Sequence, residues 1–170
     1  MKFFQSIAMV GLTLISLQTQ AAAVQKGAKA VLKCDLNIEA TDQMQYQVDG
    51  KKLESITIPA KCPHFTVNLK HGGKLPKQVM GHNFVLTASK DASDVYNEAV
   101  RLGPDKDYLP NRNAAPFKGK VLAAGDRLLA GGESEVIKIQ SSALKKGGDY
   151  TFFCTFPGHF GMMQGKLSVN

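Results

Sequence analysis

Short runs in which apolar and polar residues alternate dominate the chain and predict β-strands. In one such run, Phe65, Val67 and Leu69 share one face while the residues between them are polar. The same alternation recurs in the runs 137–140 and 166–169. Further strand candidates are 30–38, 44–49, 54–58, 82–87, 119–123 and 149–155. Many short strands separated by Gly, Pro, Asn and Asp predict an all-β sandwich or barrel rather than an α/β fold.

One stretch, residues 89–101, breaks the alternation and predicts a helix. Its apolar residues, at positions 92, 95, 96, 99 and 100, have helical spacing. Ser89 or Asp91 is a possible N-cap, and Gly103 is a stop signal. We interpret the helix as an insertion between strands that caps one edge of the sandwich. The residues that follow, 103–118, contain three prolines and are expected to form a long loop.

The first 23 residues have the pattern of an export signal. A positive residue, Lys2, precedes a mostly apolar run, and Ala21-Ala22-Ala23 offers the small residues of a cleavage site. A membrane-spanning helix is the weaker interpretation, because the apolar run is short and is closed by polar residues. We therefore expect residues 1–23 to be a cleaved signal peptide. The mature protein is expected in the periplasm, without stable membrane insertion.

The rest of the chain of 170 residues has the length of a single domain. We expect residues 24–33, rich in Ala and Lys, to be a flexible N-terminal extension, and residues 34–170 to be the folded domain. The formal charge is +7, but the lysines are scattered and form no basic run, so we expect no nucleic-acid binding. The positive charge instead favours solubility and encounters with acidic protein partners.

Three cysteines in an exported protein predict one disulfide and one free thiol. Cys34 and Cys62 are the natural pair, because both lie early in the chain while Cys154 belongs to a candidate metal loop. The alternative, in which Cys154 is bonded and another thiol is free, stays open at this point.

The end of the chain carries the strongest chemical signal. In Cys154-Thr-Phe-Pro-Gly-His159-Phe-Gly-Met-Met163, a thiol, an imidazole and a thioether lie within ten residues. Two histidines and one cysteine with a weak axial methionine form the blue-copper electron-transfer site, and a second histidine, His82, lies upstream. Each of these residues alone would more often be an apolar residue of the core or a solvated side chain. Their joint occurrence around Pro157 and Gly158, which permit a tight loop, favours a metal site.

Two segments of the chain resemble the azurins. Tyr150-Thr-Phe-Phe-Cys154-Thr-Phe-Pro-Gly-His159 is similar to their C-terminal copper loop, and Val79-Met80-Gly81-His82-Asn83-Phe84-Val85-Leu86 to their upstream ligand strand. The gaps of four and three residues between the loop donors distinguish it from plastocyanin-like relatives, whose Cys-to-His gap is shorter. The resemblance runs from about Cys34 to Asn170. It implies a cupredoxin-like Greek-key β-sandwich with one short inserted helix.

The resemblance also implies a role for individual residues. Copper would be held by His82, Cys154 and His159 in a near-trigonal plane, with Met163 as the weak axial ligand and the Gly81 carbonyl opposite. Asn83 would tie the two ligand segments together, Phe156 would pack beside the site, and Cys34 and Cys62 would form the disulfide. His71 would lie beside the copper without binding it, and His64 is expected to be exposed. An apolar patch for redox partners is implied at Met44, Leu75, Met80, Pro157 and Met162, together with Phe156.

The implied function is one-electron transport by a monomer, without catalysis. Transient partners would be redox proteins such as c-type cytochromes or copper or haem reductases. A copper oxidoreductase would need a second metal site, for which only His64 and His71 remain. A copper-delivery protein would need exposed, exchangeable donors, and a structural zinc site would gain nothing from a methionine.

Overall fold

The computed structural model describes residues 28–31 and 34–170, so the expected signal peptide lies outside the described residues. Ten strands occur in this part of the chain. They are β1 (Ala28–Val31), β2 (Asp35–Thr41), β3 (Gln45–Val48), β4 (Lys51–Ile58), β5 (His64–His71), β6 (Val85–Ala88), β7 (Val121–Ala124), β8 (Ser134–Gln140), β9 (Tyr150–Phe153) and β10 (Gln164–Val169). Two α-helices accompany them, α1 (Lys77–Met80) and α2 (Ala92–Leu102). Three single turns of 3-10 helix cover Ser89–Asp91, Pro104–Lys106 and Ser141–Ala143.

The strands form a sandwich in which β4 takes part in both sheets. The strand order is β7-β6-β9-β10-β4-β3-β2-β5-β8, and β1 also pairs with β4. Several neighbours are distant in sequence: β2 runs parallel to β5, and β4 runs parallel to β10. Such returns are typical of Greek-key connections. The prediction of an all-β, cupredoxin-like Greek-key sandwich with an inserted helix is confirmed.

Strand β1 belongs to the segment 24–33, which the sequence predicts to be a flexible extension. Its four residues pair in parallel with β4, with Ala30 opposite Ile56. The domain boundary at residue 34 stays a prediction.

Where one face of a sheet meets solvent, the apolar residues of an alternating strand are the ones that are buried. In β5, Phe65, Val67 and Leu69 are buried, as are Ile137 and Ile139 in the neighbouring strand β8. By contrast, all four residues of β9 are buried. Phe152 on one face of this strand packs in the main core, and Phe153 on the other face packs with residues of α2, so neither face is open to solvent.

Helix α2 begins three residues later and ends one residue later than the helix predicted at 89–101, because Ser89–Asp91 form a turn of 3-10 helix. Asp91 is its N-cap residue, although the carboxylate makes no capping hydrogen bond. Gly103 ends the helix at φ +75° and ψ 178°, an extended conformation with positive φ that is essentially restricted to glycine. Buried Val95 and Ala99 pack in a small core of their own with Phe153 and residues of β7.

Several local elements differ from the sequence prediction, among them the single strand predicted at 30–38, which overlaps both β1 and β2. The short helix α1 was not predicted, because four residues after Pro76 are too few to show a helical period. The strand predicted at 82–87 begins only at Val85, since His82 makes an isolated bridge to Leu129. The chain between α1 and β6 is therefore irregular.

Candidate metal centre

Three predicted ligands meet at one end of the sandwich. The side-chain donor atoms of His82, Cys154 and His159 all lie within 4.8 Å of one another, and all three residues are buried. His82 precedes β6, and Cys154 directly follows β9. These strands pair with Val85 opposite Phe153, which brings the two donors together across the sheet.

The loop 154–163 carries the other donors and is closed by its own backbone. The Cys154 amide donates to the Met163 carbonyl at 3.0 Å, and the Met163 amide donates to the His159 carbonyl at 2.8 Å. Gly158 adopts φ +83°, which a residue with a Cβ adopts only with strain. Met163 is fully buried in the same core cluster as Cys154. The loop therefore returns the thioether to the end of the sandwich that holds the thiol.

The ring of His82 is oriented by the backbone. Its Nε2 lies 3.0 Å from the Thr41 carbonyl oxygen, which can only accept, so Nε2 carries the proton. Its Nδ1 is then an unprotonated acceptor, and it is buried without a hydrogen-bond partner in the part of the chain that the structure describes. A buried acceptor without a partner is costly unless something else satisfies it. A metal ion fits this lone pair, and the outer carbonyl fixes the ring as it does in protein metal sites.

A disulfide joins Cys34 and Cys62, so Cys154 is the one free cysteine, and it is buried. The disulfide prediction is confirmed. The Sγ of Cys154 lies 3.7 Å from Nδ1 of His159 and 3.8 Å from the Gly81 carbonyl oxygen.

Burial sets the protonation of all three donors. It raises the pKa of the Cys154 thiol to about 11, although backbone N–H groups of Asn83 and Phe156 oppose the rise. It lowers the pKa of His82 to about 3 and that of His159 to about 4, and the neighbouring His71 contributes to both. At neutral pH the centre therefore offers two neutral imidazoles and one protonated thiol.

Gly81 approaches its neighbours too closely for any side chain. A Cβ at this position would lie 2.5 Å from the side chain of Leu128 and 2.6 Å from the Lys77 carbonyl oxygen. Its φ of −67° is open to any residue, so close packing alone requires the glycine. The packing leaves its carbonyl beside the Cys154 sulfur.

Asn83 connects the two ligand segments. Its Oδ1 accepts from the Thr155 amide at 2.9 Å, and its Nδ2 donates to Thr155 Oγ1 at 2.6 Å. The Thr155 hydroxyl in turn donates to the Tyr108 carbonyl at 2.7 Å. The Asn83 carbonyl accepts from the buried hydroxyl of Tyr46. Sequence reasoning missed Thr155, Tyr108 and Tyr46, because a polar or aromatic residue in a strand or loop carries no sign of its partner.

The remaining histidines have other contacts. His71 is fully buried, and its ring centroid lies 4.4 Å from that of His82. Its Nε2 lies 3.1 Å from an Asp42 carboxylate oxygen, and its Nδ1 lies 3.2 Å from the Leu129 carbonyl oxygen. Neither nitrogen is therefore free to bind a metal. His64 is exposed and contacts Gln140.

The residues of the expected partner patch are partly or largely exposed. Met162 is 46% exposed and Leu75 is 38% exposed. The half-buried members are Met44, Met80, Phe156 and Pro157. The Phe156 ring lies 4.6 Å from that of His159, so the patch reaches the ligand loop. Val79, 57% exposed beside Met80, adds apolar surface that the sequence reasoning did not include.

Metal uptake is expected to release one proton at neutral pH. Both imidazoles are already neutral, so the Cys154 thiol alone must ionise. Protons compete with the metal for this sulfur, so apparent affinity should rise about tenfold per pH unit between about pH 5 and 10. Calorimetric Cu(II) titrations in buffers of different ionisation enthalpy measure the proton count. Release of two or more protons at pH 7 would mean that the imidazoles are charged.

A sandwich that buries two imidazoles and one thiol together, beside a buried methionine, defines the blue-copper class of electron-transfer domains. Comparison with known proteins extends this assignment. Residues 32–170 match the family model of copper binding proteins, plastocyanin/azurin family. The azurin of Pseudomonas aeruginosa is 41% identical over 137 residues, which cover 81% of this chain and 85% of that protein. The chain therefore belongs to the plastocyanin/azurin family, and it is a blue-copper electron carrier with copper as its cofactor.

Other relatives give the same picture. The azurin of Bordetella pertussis is 43% identical over 137 residues, covering 81% of this chain and 84% of that protein. A solved structure of the azurin Az-iso2 from Methylomonas sp. strain J superposes with a TM-score of 0.70 at 38% identity. That similarity covers 82% of this chain and 99% of the other.

Proposed function

We propose that the protein carries single electrons between redox proteins of the periplasm, at a copper ion held by His82, Cys154, His159 and Met163. The observation that carries this proposal is the buried triad of donors, in which His82 Nδ1 has no hydrogen-bond partner among the described residues. Bound copper would supply the one-electron couple between Cu(I) and Cu(II). The Gly81 carbonyl, held beside the thiol by close packing, is the weak fifth contact in this proposal.

The protein contributes ligands that are already held in place. The Thr41 carbonyl fixes the His82 ring, the Asn83–Thr155 hydrogen bonds join the two ligand segments, and the loop is closed through Met163. Ligands fixed in this way suit both oxidation states, because little movement is needed when the charge changes.

Transport without catalysis agrees with the burial of the donors. His159 is only 3% exposed, and Cys154 and Met163 are fully buried. Catalytic metal sites keep one position open for water or substrate. Four protein donors in a buried site leave little room for either.

We propose that partners approach through the apolar patch next to His159, formed by Met44, Leu75, Met80, Phe156, Pro157 and Met162. A small apolar contact suits transient redox encounters between monomers. Redox proteins such as c-type cytochromes or copper or haem reductases are the proposed partners, and no role in nucleic-acid binding is proposed. The excess of Lys and Arg over Asp and Glu favours acidic surfaces on these partners.

The periplasmic location rests on the expected signal peptide at residues 1–23 and on the disulfide between Cys34 and Cys62, which suits an oxidising compartment. Within residues 28–31 and 34–170, no helix is long and apolar enough to cross a membrane.

We propose residues 34–170 as the cupredoxin domain and residues 24–33 as an extension to it.

The patch can be tested with a charge placed at its exposed end. Met162→Lys should slow the reduction of the copper-loaded protein by a reduced c-type cytochrome about tenfold, because a charge must be desolvated in the contact. Val136→Lys is the matched control, since Val136 is 61% exposed on β8, outside the patch. Stopped-flow spectroscopy of both variants measures the bimolecular rate constants. Equal rate constants for the two variants would contradict docking through this patch.

A further inference from the structure

Helix α2 is a fixed element beside the ligand loop. Its residues Val95 and Ala99 are at most 1% exposed and pack with Phe153 of β9 and Val121 of β7. Cys154 directly follows Phe153, so the helix is attached to the strand that ends in the thiol. A side chain on this helix can therefore restrain the loop against the body of the protein.

Tyr96 of α2 makes two contacts with the loop. Its hydroxyl oxygen accepts a hydrogen bond from the Gly158 amide at 3.0 Å. Its ring stacks on Phe160, with a centroid distance of 4.7 Å and an interplanar angle of 22°. Phe160 also meets Phe153 edge-on, with the centroids 5.2 Å apart. The two contacts hold the residues immediately before and immediately after His159.

The other hydrogen bonds that the structure describes for this part of the loop are made within the loop itself. The His159 amide donates to the Phe156 carbonyl, and the His159 carbonyl accepts from the amides of Met162 and Met163. These bonds shape the loop but do not attach residues 158–160 to another element. Tyr96 provides that attachment from a helix whose own position is fixed by core packing.

We propose that Tyr96 is a positioning residue for His159: it holds Gly158 and Phe160 so that the imidazole faces the Cys154 thiol before a metal ion arrives. The proposal rests on His159 being a copper ligand, as set out under the proposed function. The hydroxyl restrains the backbone on one side of His159, and the stacked ring restrains the other. Loss of either contact should loosen the loop while leaving the sandwich intact.

Two variants separate the two contacts. Tyr96→Phe keeps the stacked ring and removes the acceptor of the Gly158 amide, whereas Phe160→Leu keeps the hydrogen bond and removes the stack. Tyr150→Phe is the matched control, because the Tyr150 hydroxyl also accepts from a backbone amide, that of Lys145, at 2.6 Å. Tyr150 begins β9, at the opposite end of the strand from Cys154.

The first measurement is amide hydrogen exchange of the metal-free variants by NMR. Tyr96→Phe should speed exchange of the Gly158 amide about tenfold, because the amide loses its hydrogen-bond acceptor, and Tyr150→Phe should leave it unchanged. The second is the rate of copper loss to a chelator, which should rise about tenfold in Tyr96→Phe and in Phe160→Leu but not in Tyr150→Phe.

Unchanged exchange of the Gly158 amide in Tyr96→Phe would overturn the proposal, as would equal copper loss from Tyr96→Phe and Tyr150→Phe. The exchange rate of the Gly158 amide is measured in the metal-free protein, so it tests the role of Tyr96 even if the copper ligands are assigned wrongly. A wrong site would show instead as a parent protein that binds copper without the blue colour.

Discussion

Replacing Cys154 with serine is expected to abolish the intense blue absorption of the copper-loaded protein. The colour needs a thiolate bound to copper, and Cys154 is the one thiol outside the disulfide. A serine hydroxyl does not ionise at neutral pH to replace it. Copper affinity should fall by more than about 100-fold, since loss of a mere outer-shell partner already costs 10- to 100-fold. Visible absorption and a competitive copper titration measure the two effects.

The sandwich should survive this substitution. A serine hydroxyl can still donate to the Gly81 carbonyl, which now accepts from the Cys154 thiol, so unfolding of the metal-free form should be easier by only about 1–2 kcal/mol. The matched control is the double variant Cys34→Ser/Cys62→Ser. It opens a disulfide that spans 28 residues, which should cost about 3–4 kcal/mol while leaving the blue band in place. A blue band that persists in Cys154→Ser would refute the ligand assignment.

Replacing Asn83 with alanine is expected to weaken both the fold and the copper site. The variant loses two buried hydrogen bonds to Thr155 and leaves the Thr155 amide without an acceptor. A loss of about 2–4 kcal/mol in the free energy of unfolding follows, the cost of one lost bond added to that of a buried donor without a partner. Copper affinity should fall about 10- to 100-fold, because the two ligand segments are no longer joined. Urea unfolding of the metal-free form and a competitive copper titration measure the two losses.

Asn68→Ala is the matched control for this prediction. Its side chain donates to Asn37 at 2.9 Å across two neighbouring strands, where both groups reach solvent. Its loss should cost no more than about 0.5–1 kcal/mol and leave copper affinity unchanged. If the two alanine variants lost equal stability and equal affinity, Asn83 would not be the link between the ligand segments.

The positions of the strands could be predicted because successive side chains point to opposite faces of a sheet, so buried and exposed residues alternate. Phe65, Val67 and Leu69 mark β5 in the sequence because one face of that strand meets the core and the other meets solvent. The pattern fails for the short helix α1, and it places the start of β6 too early at His82. Both errors lie where the chain follows the geometry of the metal centre rather than a regular period.

The donors could be predicted because their chemistry and spacing are both visible in the sequence. Cys154, His159 and Met163 lie close together along the chain. The residues around His82 are similar in sequence to the upstream ligand strand of the azurins. The contacts that orient these donors could not be predicted in the same way. The His82 ring is hydrogen-bonded to the Thr41 carbonyl, and the Gly158 amide is hydrogen-bonded to the Tyr96 hydroxyl. These partners lie far away in the sequence, and only the folded chain brings them to the site.

A visible absorption spectrum of the mature protein with one equivalent of Cu(II) is the most direct test of the copper site. It is recorded before reduction, after a mild reductant, and again after reoxidation. We expect an intense blue band that vanishes when Cu(II) is reduced and returns in full when Cu(I) is oxidised, as a reversible thiolate–copper electron carrier requires. A protein that binds copper but stays colourless, or whose band does not return, would contradict the blue-copper carrier.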